Sequence, residues 1–121
     1  MIEALKNIPP ADAENIMELT ECFVKAVNPL KVYLFGSFAD GTYNDDSDYD
    51  FYIVVEDGID VKEARHAAGM SIWMKQRRPV DILMSTKTKF ERYGPDELVY
   101  IEGEVYRKGI VVYTRAEEMI A

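Results

Sequence analysis

Helical spacing governs the first long apolar pattern of the chain. Ile16, Met17, Leu19, Phe23, Val24 and Val27 recur on one face, which predicts an amphipathic helix over about residues 11–27. Pro9-Pro10 separates this helix from a short N-terminal segment, and the stretch "NPL" ends it. "KVYLFG" (31–36) is rich in β-formers and reads as a strand. A short helical turn, "SFAD", follows Gly36 and is closed by Gly41. Residues 42–46 form a loop, and "SDYDFYIVVE" (47–56) reads as a second strand. After the turn signal "DGID", residues 60–76 carry Val61, Ala64, Ala68, Ile72 and Trp73 at helical spacing, with Trp73 expected in the core. "PVDILMS" (79–85) is a third strand. Residues 86–94 read as a short helix with Thr86 as its cap, and residues 95–109 as a helix opened by Pro95 and closed by Gly109. "IVVY" (110–113) is a last short strand or a turn, and the tail reads as a frayed helix. The order α-β-(α)-β-α-β-α-α describes a small α/β domain, a mixed sheet of three to four strands flanked by helices.

Composition changes the picture in two ways. At 121 residues, with 48% hydrophobic and 30% charged positions, the chain suits one domain over residues 1–121 with a core of its own. A formal net charge of −8 argues against broad binding to nucleic-acid backbones. One cysteine, Cys22, excludes an internal disulfide and is expected to be a buried thiol. No apolar run approaches the ~20 residues of a membrane span, and no signal-peptide pattern opens the chain, so a cytoplasmic protein is expected.

The chemistry lies where the polar pattern breaks the strands. Asp48 and Asp50 sit two apart at the mouth of the second strand, so they share a face roughly 6.5–7 Å apart. Like charges so placed repel, and a hard divalent cation between them removes the penalty. Asp81 stands near the start of the third strand. If the two strands are neighbours, about 4.8 Å apart, it joins the cluster. Three carboxylates on adjacent strands can hold two metals for an in-line phosphoryl transfer. Gly36-Ser37 supplies the complementary half, because a strand turning into a helix start offers N–H groups, a hydroxyl and room for a phosphate.

The stretch "GSFADGTYNDDSDYDFYIVV", with the later lone Asp81, resembles the signature of the DNA polymerase beta-like nucleotidyltransferase superfamily. The matching positions are Gly36, Ser37, Asp48, Asp50 and Asp81. The small size resembles the minimal nucleotidyltransferase, or MNT, domains. The resemblance runs from about residue 30 to 113 and is most specific over 33–55. It implies the polymerase beta-like fold and Mg²⁺-dependent transfer of a nucleoside monophosphate, AMP from ATP, to an acceptor hydroxyl. Two Mg²⁺ ions would be held by Asp48, Asp50 and Asp81, and Asp81 would also help deprotonate the acceptor. Gly36 and Ser37 would hold the nucleotide, with Ser47 in support. The implied acceptor is a protein side chain on a HEPN-type partner, as in toxin–antitoxin pairs, with a homodimer as another source of acceptor surface. An aminoglycoside acceptor, which in the family goes with an additional helical domain, is not expected. It departs from the family at Asp40, where a basic residue is frequent, and the loop adds Asp45 and Asp46. Those departures favour the alternative of an antitoxin subunit that acts by contact with little or no turnover.

Blander matches fail on their own terms. A calcium loop starting at Asp46 would need Gly and Glu where Phe51 and Asp57 stand. A P-loop would need Lys-Ser/Thr where Thr42-Tyr43 follow Gly41. His66 carries no assigned role. Lys75, Arg77 and Arg78 read as a solvated helix end, with a phosphate or partner contact as the minor reading. Tyr93, Tyr100, Tyr106 and Tyr113 read as packing residues.

Overall fold

Alternation along the second strand sorts its side chains onto two faces, and the rest of the molecule is built on that sorting. In a computed structural model describing residues 3–92 and 100–118, a four-stranded sheet has the order β3-β2-β1-β4. The strands are β1 (Lys31–Phe35), β2 (Tyr49–Val55), β3 (Val80–Thr86) and β4 (Ile110–Thr114). β1 runs antiparallel to β2 and β4, whereas β2 and β3 are parallel. A parallel pair needs a long crossover, here through α3 (Val61–Ser71).

One face of the sheet presents Val32, Leu34, Tyr49, Phe51, Ile53 and Val55 to α1 (Pro10–Val27) and α3. α1 answers with Ala13, Ile16, Leu19 and Phe23, a stripe with the three- and four-residue spacing of a helix face. Pro10 starts α1 where a missing N–H costs nothing. Asn28 ends it in a left-handed conformation, its N–H bonded to the Val24 carbonyl. The other face carries a smaller cluster of Tyr33, Tyr52, Val54, Phe90 and Val105. Phe90 comes from α4 (Lys87–Arg92) and Val105 from α5 (Ile101–Lys108). Because side chains alternate, Asp50 falls on this second face, beside Tyr52 and opposite Tyr49.

The element order agrees with the sequence pattern, and the differences have local causes. β2 begins at Tyr49, so Asp48 lies in the loop just before the strand. α3 ends at Ser71, five residues short of the expected end, and Trp73 is 70% exposed instead of buried. The reason is Asn15 on α1. Its Nδ2 donates to the Lys75 carbonyl at 2.9 Å and its Oδ1 accepts from the Arg77 N–H at 2.6 Å. These bonds fix a turn in which Met74 adopts a φ of +64°, and the periodicity of α3 cannot continue through it. Thr86 stays in β3 and does not cap α4. The capping carboxylate is Asp57, which accepts from the Thr88 N–H at 3.0 Å and from its hydroxyl at 2.6 Å. α5 begins at Ile101, and residues 95–99 of the expected helix, like Tyr93, lie outside the described residues. Tyr100 and Tyr106 are 53% and 46% exposed, less packed than expected, though Tyr106 stacks on Phe90. Cys22 is half-buried. Among the described residues no helix is long and apolar enough to cross a membrane.

Candidate active site

The sharp exit from β1 begins the site. Gly36 has φ +74°, a conformation that L side chains rarely adopt. A Cβ at this position would also collide with the Asp50 carboxylate, whose Cγ would lie 3.1 Å away. The space over Gly36 that the sequence reserves for a phosphate is therefore shared with Asp50. α2 (Ser37–Asp40) follows at once, and Gly41 closes it in the left-handed region, its N–H bonded to the Ser37 carbonyl.

Register then brings the carboxylates together. Asp50 pairs with Phe35 on β1 and with Asp81 on β3. Neighbouring strands lie about 4.8 Å apart, so the Asp50 and Asp81 side chains leave the same face side by side. Asp50 and Asp48 are half-buried, and Asp81 is exposed near the start of an edge strand. Burial pushes the Asp50 carboxyl up to about 6, with the charge and hydrogen bond of Asp81 and the charge of Asp48 adding to it. Asp48 and Asp81 are thus both close enough for their charges to act on Asp50. Among the described residues, however, no group of three or more His, Cys, Asp or Glu side chains is gathered so as to hold a metal by itself.

The donor chemistry nonetheless suits a hard cation. Magnesium commonly takes one or two carboxylates and completes its shell with water and substrate phosphates. Asp50 and Asp81 supply that pair, and a cation would offset both the burial of the Asp50 charge and the repulsion that adds to it. Asp48 stands one residue outside the strand, close enough to add its charge.

The loop before Asp48 is built by its own polar residues. Asp40 accepts from the Thr42 hydroxyl at 2.6 Å and from its N–H at 2.9 Å. Those bonds hold its carboxyl below the usual range. Its charge is thus already engaged in shaping the turn. Ser47 Oγ accepts from the Asn44 N–H at 2.8 Å, and Asn44 Oδ1 accepts from the Asp46 N–H at 2.8 Å. Ser47 therefore shapes the loop that delivers Asp48. Asp45 and Asp46 are exposed.

Sequence reasoning missed what holds this loop to the sheet. Arg78 Nη1 donates to the carbonyls of Asn44, Asp45 and Ser47 at 3.1, 2.9 and 3.2 Å. Its Nε and Nη2 donate to Asp12 at 2.8 and 3.3 Å, and its guanidinium lies 5.0 Å from the Phe38 ring centre. Asp12 is almost fully buried on α1 and also accepts from the Tyr49 hydroxyl at 2.6 Å. Burial pushes the Asp12 carboxyl up. Hydrogen bonds from Arg78 and Tyr49 and the charges of Arg78 and Arg77 more than reverse this, leaving it below the usual range. Arg78 is thus no solvated helix end. Its only local clue is an arginine placed directly before Pro79 and an apolar strand, and nothing near it in sequence identifies Asp12 as its partner.

Solved structures share this fold. A Sulfolobus solfataricus protein assigned provisionally as a nucleotidyltransferase has a TM-score of 0.61 at 20% identity, covering 88% of this chain and 83% of its own. A toxin–antitoxin complex crystallised with AMP-PNP gives 0.56 at 18% identity, covering 87% of this chain and 75% of that one. A mutant of the MntA–HpeT toxin–antitoxin complex gives 0.54 at 17%, with coverages of 87% and 75%. Comparison with curated proteins finds no match. The family model for the nucleotidyltransferase domain, in contrast, matches residues 16–112, from α1 through every element of the site to β4. On that match the chain belongs to the nucleotidyltransferase domain family.

Proposed function

We propose that this chain transfers AMP from ATP to a hydroxyl on a partner protein, with Mg²⁺ bound by Asp48, Asp50 and Asp81. The observation that carries the reading is the register pairing of Asp50 with Asp81, with the Asp50 carboxylate against Gly36. Asp50, the more enclosed of the two, holds the nucleotide side of the site, while Ser37 and the Gly36 turn orient the triphosphate. Asp81, exposed on an edge strand, faces the side from which an acceptor can arrive and takes its proton. The acceptor oxygen forms a bond to the α-phosphorus as the bond to pyrophosphate breaks. Mg²⁺ held by these carboxylates would supply positive charge to offset the charge developing on the transferring group. Ser47 acts indirectly, by shaping the loop that carries Asp48.

A protein acceptor is supported by two structural neighbours that are toxin–antitoxin complexes, one of them containing an ATP analogue. A HEPN-type toxin is the acceptor class we favour, with a homodimer as the other source of acceptor surface. A reducing cytoplasm rich in MgATP suits this chemistry. A second reading, a contact-acting antitoxin with little turnover, is favoured by the absence of a pre-gathered three-donor set among the described residues.

The test is transfer of label from α-labelled ATP, with Mg²⁺, in the presence of the protein encoded beside this one. Label reaching protein with the wild type, and none with Asp48→Asn/Asp50→Asn, supports the enzyme. Absence of nucleotide binding and of transfer, with the partner neutralised all the same, would select the contact-acting reading.

A further inference from the structure

We propose that Arg78 is a positioning residue of this site, setting the loop that carries Ser47 and Asp48 against the Gly36-Ser37 turn. The inference rests on reading that site as one for nucleotidyl transfer. Three parts of the molecule meet at this one guanidinium. Asp12 on α1 receives two of its nitrogens, and the carbonyls of Asn44, Asp45 and Ser47 receive the third. Its plane lies against Phe38, the residue after Ser37, while the Phe38 ring stacks on Tyr43 at 4.8 Å and meets Tyr49 edge-on at 5.2 Å. Along the chain Arg78 precedes Asp81 by three residues, and the Pro79 carbonyl between them accepts from the Tyr49 N–H at 3.0 Å.

The consequence is geometric. Asp48 lies outside β2, so the ladder that orders Asp50 and Asp81 does not order it. Its place depends on the Asn44–Ser47 turn, and Arg78 ties the outward carbonyls of that turn to the buried Asp12. A planar fork with several fixed donors can serve a carboxylate edge and a cluster of carbonyls together. A lysine ammonium, a single point donor on a flexible stem, cannot. Arg78→Lys therefore keeps the charge beside Asp12 and loses the registration of the loop.

The full-length chain tests this directly. Amide hydrogen exchange at Ser47 and Tyr49, and affinity for MgATP by calorimetry, are measured for wild type, Arg78→Lys and Arg78→Gln. Arg115→Gln serves as control, since Arg115 makes ion pairs with Glu56 and Glu117 at the other end of the sheet. The expected result is faster exchange at Ser47 and Tyr49 and at least tenfold weaker MgATP binding in both Arg78 variants. Arg115→Gln should stay within twofold of wild type in MgATP affinity even where its thermal midpoint falls. Unchanged exchange in Arg78→Lys overturns the proposal, as does faster exchange with MgATP affinity within twofold of wild type. If Arg78→Gln does not fold, Arg78→Lys and Asp12→Asn decide by the same criteria. A wild type that binds no MgATP sinks the nucleotidyl-transfer reading instead, and the exchange data still decide whether Arg78 orders the loop.

Discussion

Tyr49 and Asp50 are adjacent in β2, leave it on opposite faces, and lead to two acidic sites built on opposite plans. Behind Tyr49, Asp12 is enclosed with Arg78 and the tyrosine hydroxyl, and the exposed Arg77 pairs with it from the solvent side. Every charge there meets its opposite, and the carboxyl stays ionised despite burial. In front, Asp50 is half-buried beside the exposed Asp81, and burial, with the charge and hydrogen bond of Asp81 and the charge of Asp48 adding to it, pushes its carboxyl up to about 6. One site is complete within the chain. The other carries an uncompensated cost that a bound cation would remove. Strongly shifted carboxyls gather at functional sites, which is the physical ground for placing the proposed chemistry at Asp50.

The largest expected effect lies on the satisfied side. Asp12→Ala leaves the Arg78 guanidinium largely buried without its partner, a loss of about 3–5 kcal/mol in urea unfolding. A loss below about 1 kcal/mol would mean that solvent reaches this pair and that the contrast is false. Replacing both partners, Asp12→Leu with Arg78→Met, should recover most of that stability while MgATP binding stays weak. That outcome would separate the fold's need for the pair from the site's need for it.

On the unsatisfied side the signs reverse. Asp50→Asn and Asp81→Asn should each lower nucleotidyl transfer by roughly 10²–10³-fold, the scale of losing one preorganised electrostatic group. Both should leave the metal-free protein as stable as wild type or more so, because each removes a like-charge contact. Falling activity together with falling stability would argue that the pair is structural.

Titration separates the two sites further. Asp50 has a raised folded pKa, so between about 4 and about 6 the folded state holds a proton that the unfolded state has released. Stability of the metal-free protein should therefore fall as pH rises through that window. The effect is bounded at roughly 3 kcal/mol by the shift and is reduced where solvent screens the group. Asp50→Asn should flatten this part of a urea-midpoint profile, and millimolar Mg²⁺ should flatten it in the wild type. Asp12 behaves oppositely. Its folded pKa is depressed, so its contribution is present above about 3.8 and is lost as pH falls through the lowered folded value.

The smallest effect concerns Gly36. Gly36→Ala should cost about 1–3 kcal/mol for its glycine-only backbone conformation alone, φ +74° with ψ −153°. Collision with the Asp50 carboxylate adds to that. Asp50→Ala in the same chain should relieve the second part only, a coupling on the order of 1 kcal/mol in a double-mutant cycle. Strict additivity would show that Asp50 does not occupy the space above Gly36.

Much of the frame is legible in the amino-acid sequence. Helical and strand patterns are local properties, and they place α1, β1, α2, β2 and β3 to within a few residues, while β4 is left as a strand or a turn. The spacing from Gly36-Ser37 to Asp48 and Asp50, with Asp81 beyond, is enough to suggest the family that the domain match establishes. It can do so because the relevant side chains sit at the ends of consecutive strands, where chain distance and spatial distance run together.

Other features are decided only by tertiary contact. Asn15 ends the segment after α3 from 60 residues away in sequence, and so sends Trp73 into solvent. Asp57 caps α4 across a separation of 31 residues. Arg78 finds Asp12 at a separation of 66, and that pair turns an apparent surface cation into an anchor of the loop before Asp48. Sequence periodicity reports which face a side chain leaves by. It carries no information about which distant polar group waits there, because that depends on how the helices lie across the sheet. The carboxylates are readable because one strand and its neighbour present them. The arginine that orders their loop becomes visible only when α1 is laid behind β2.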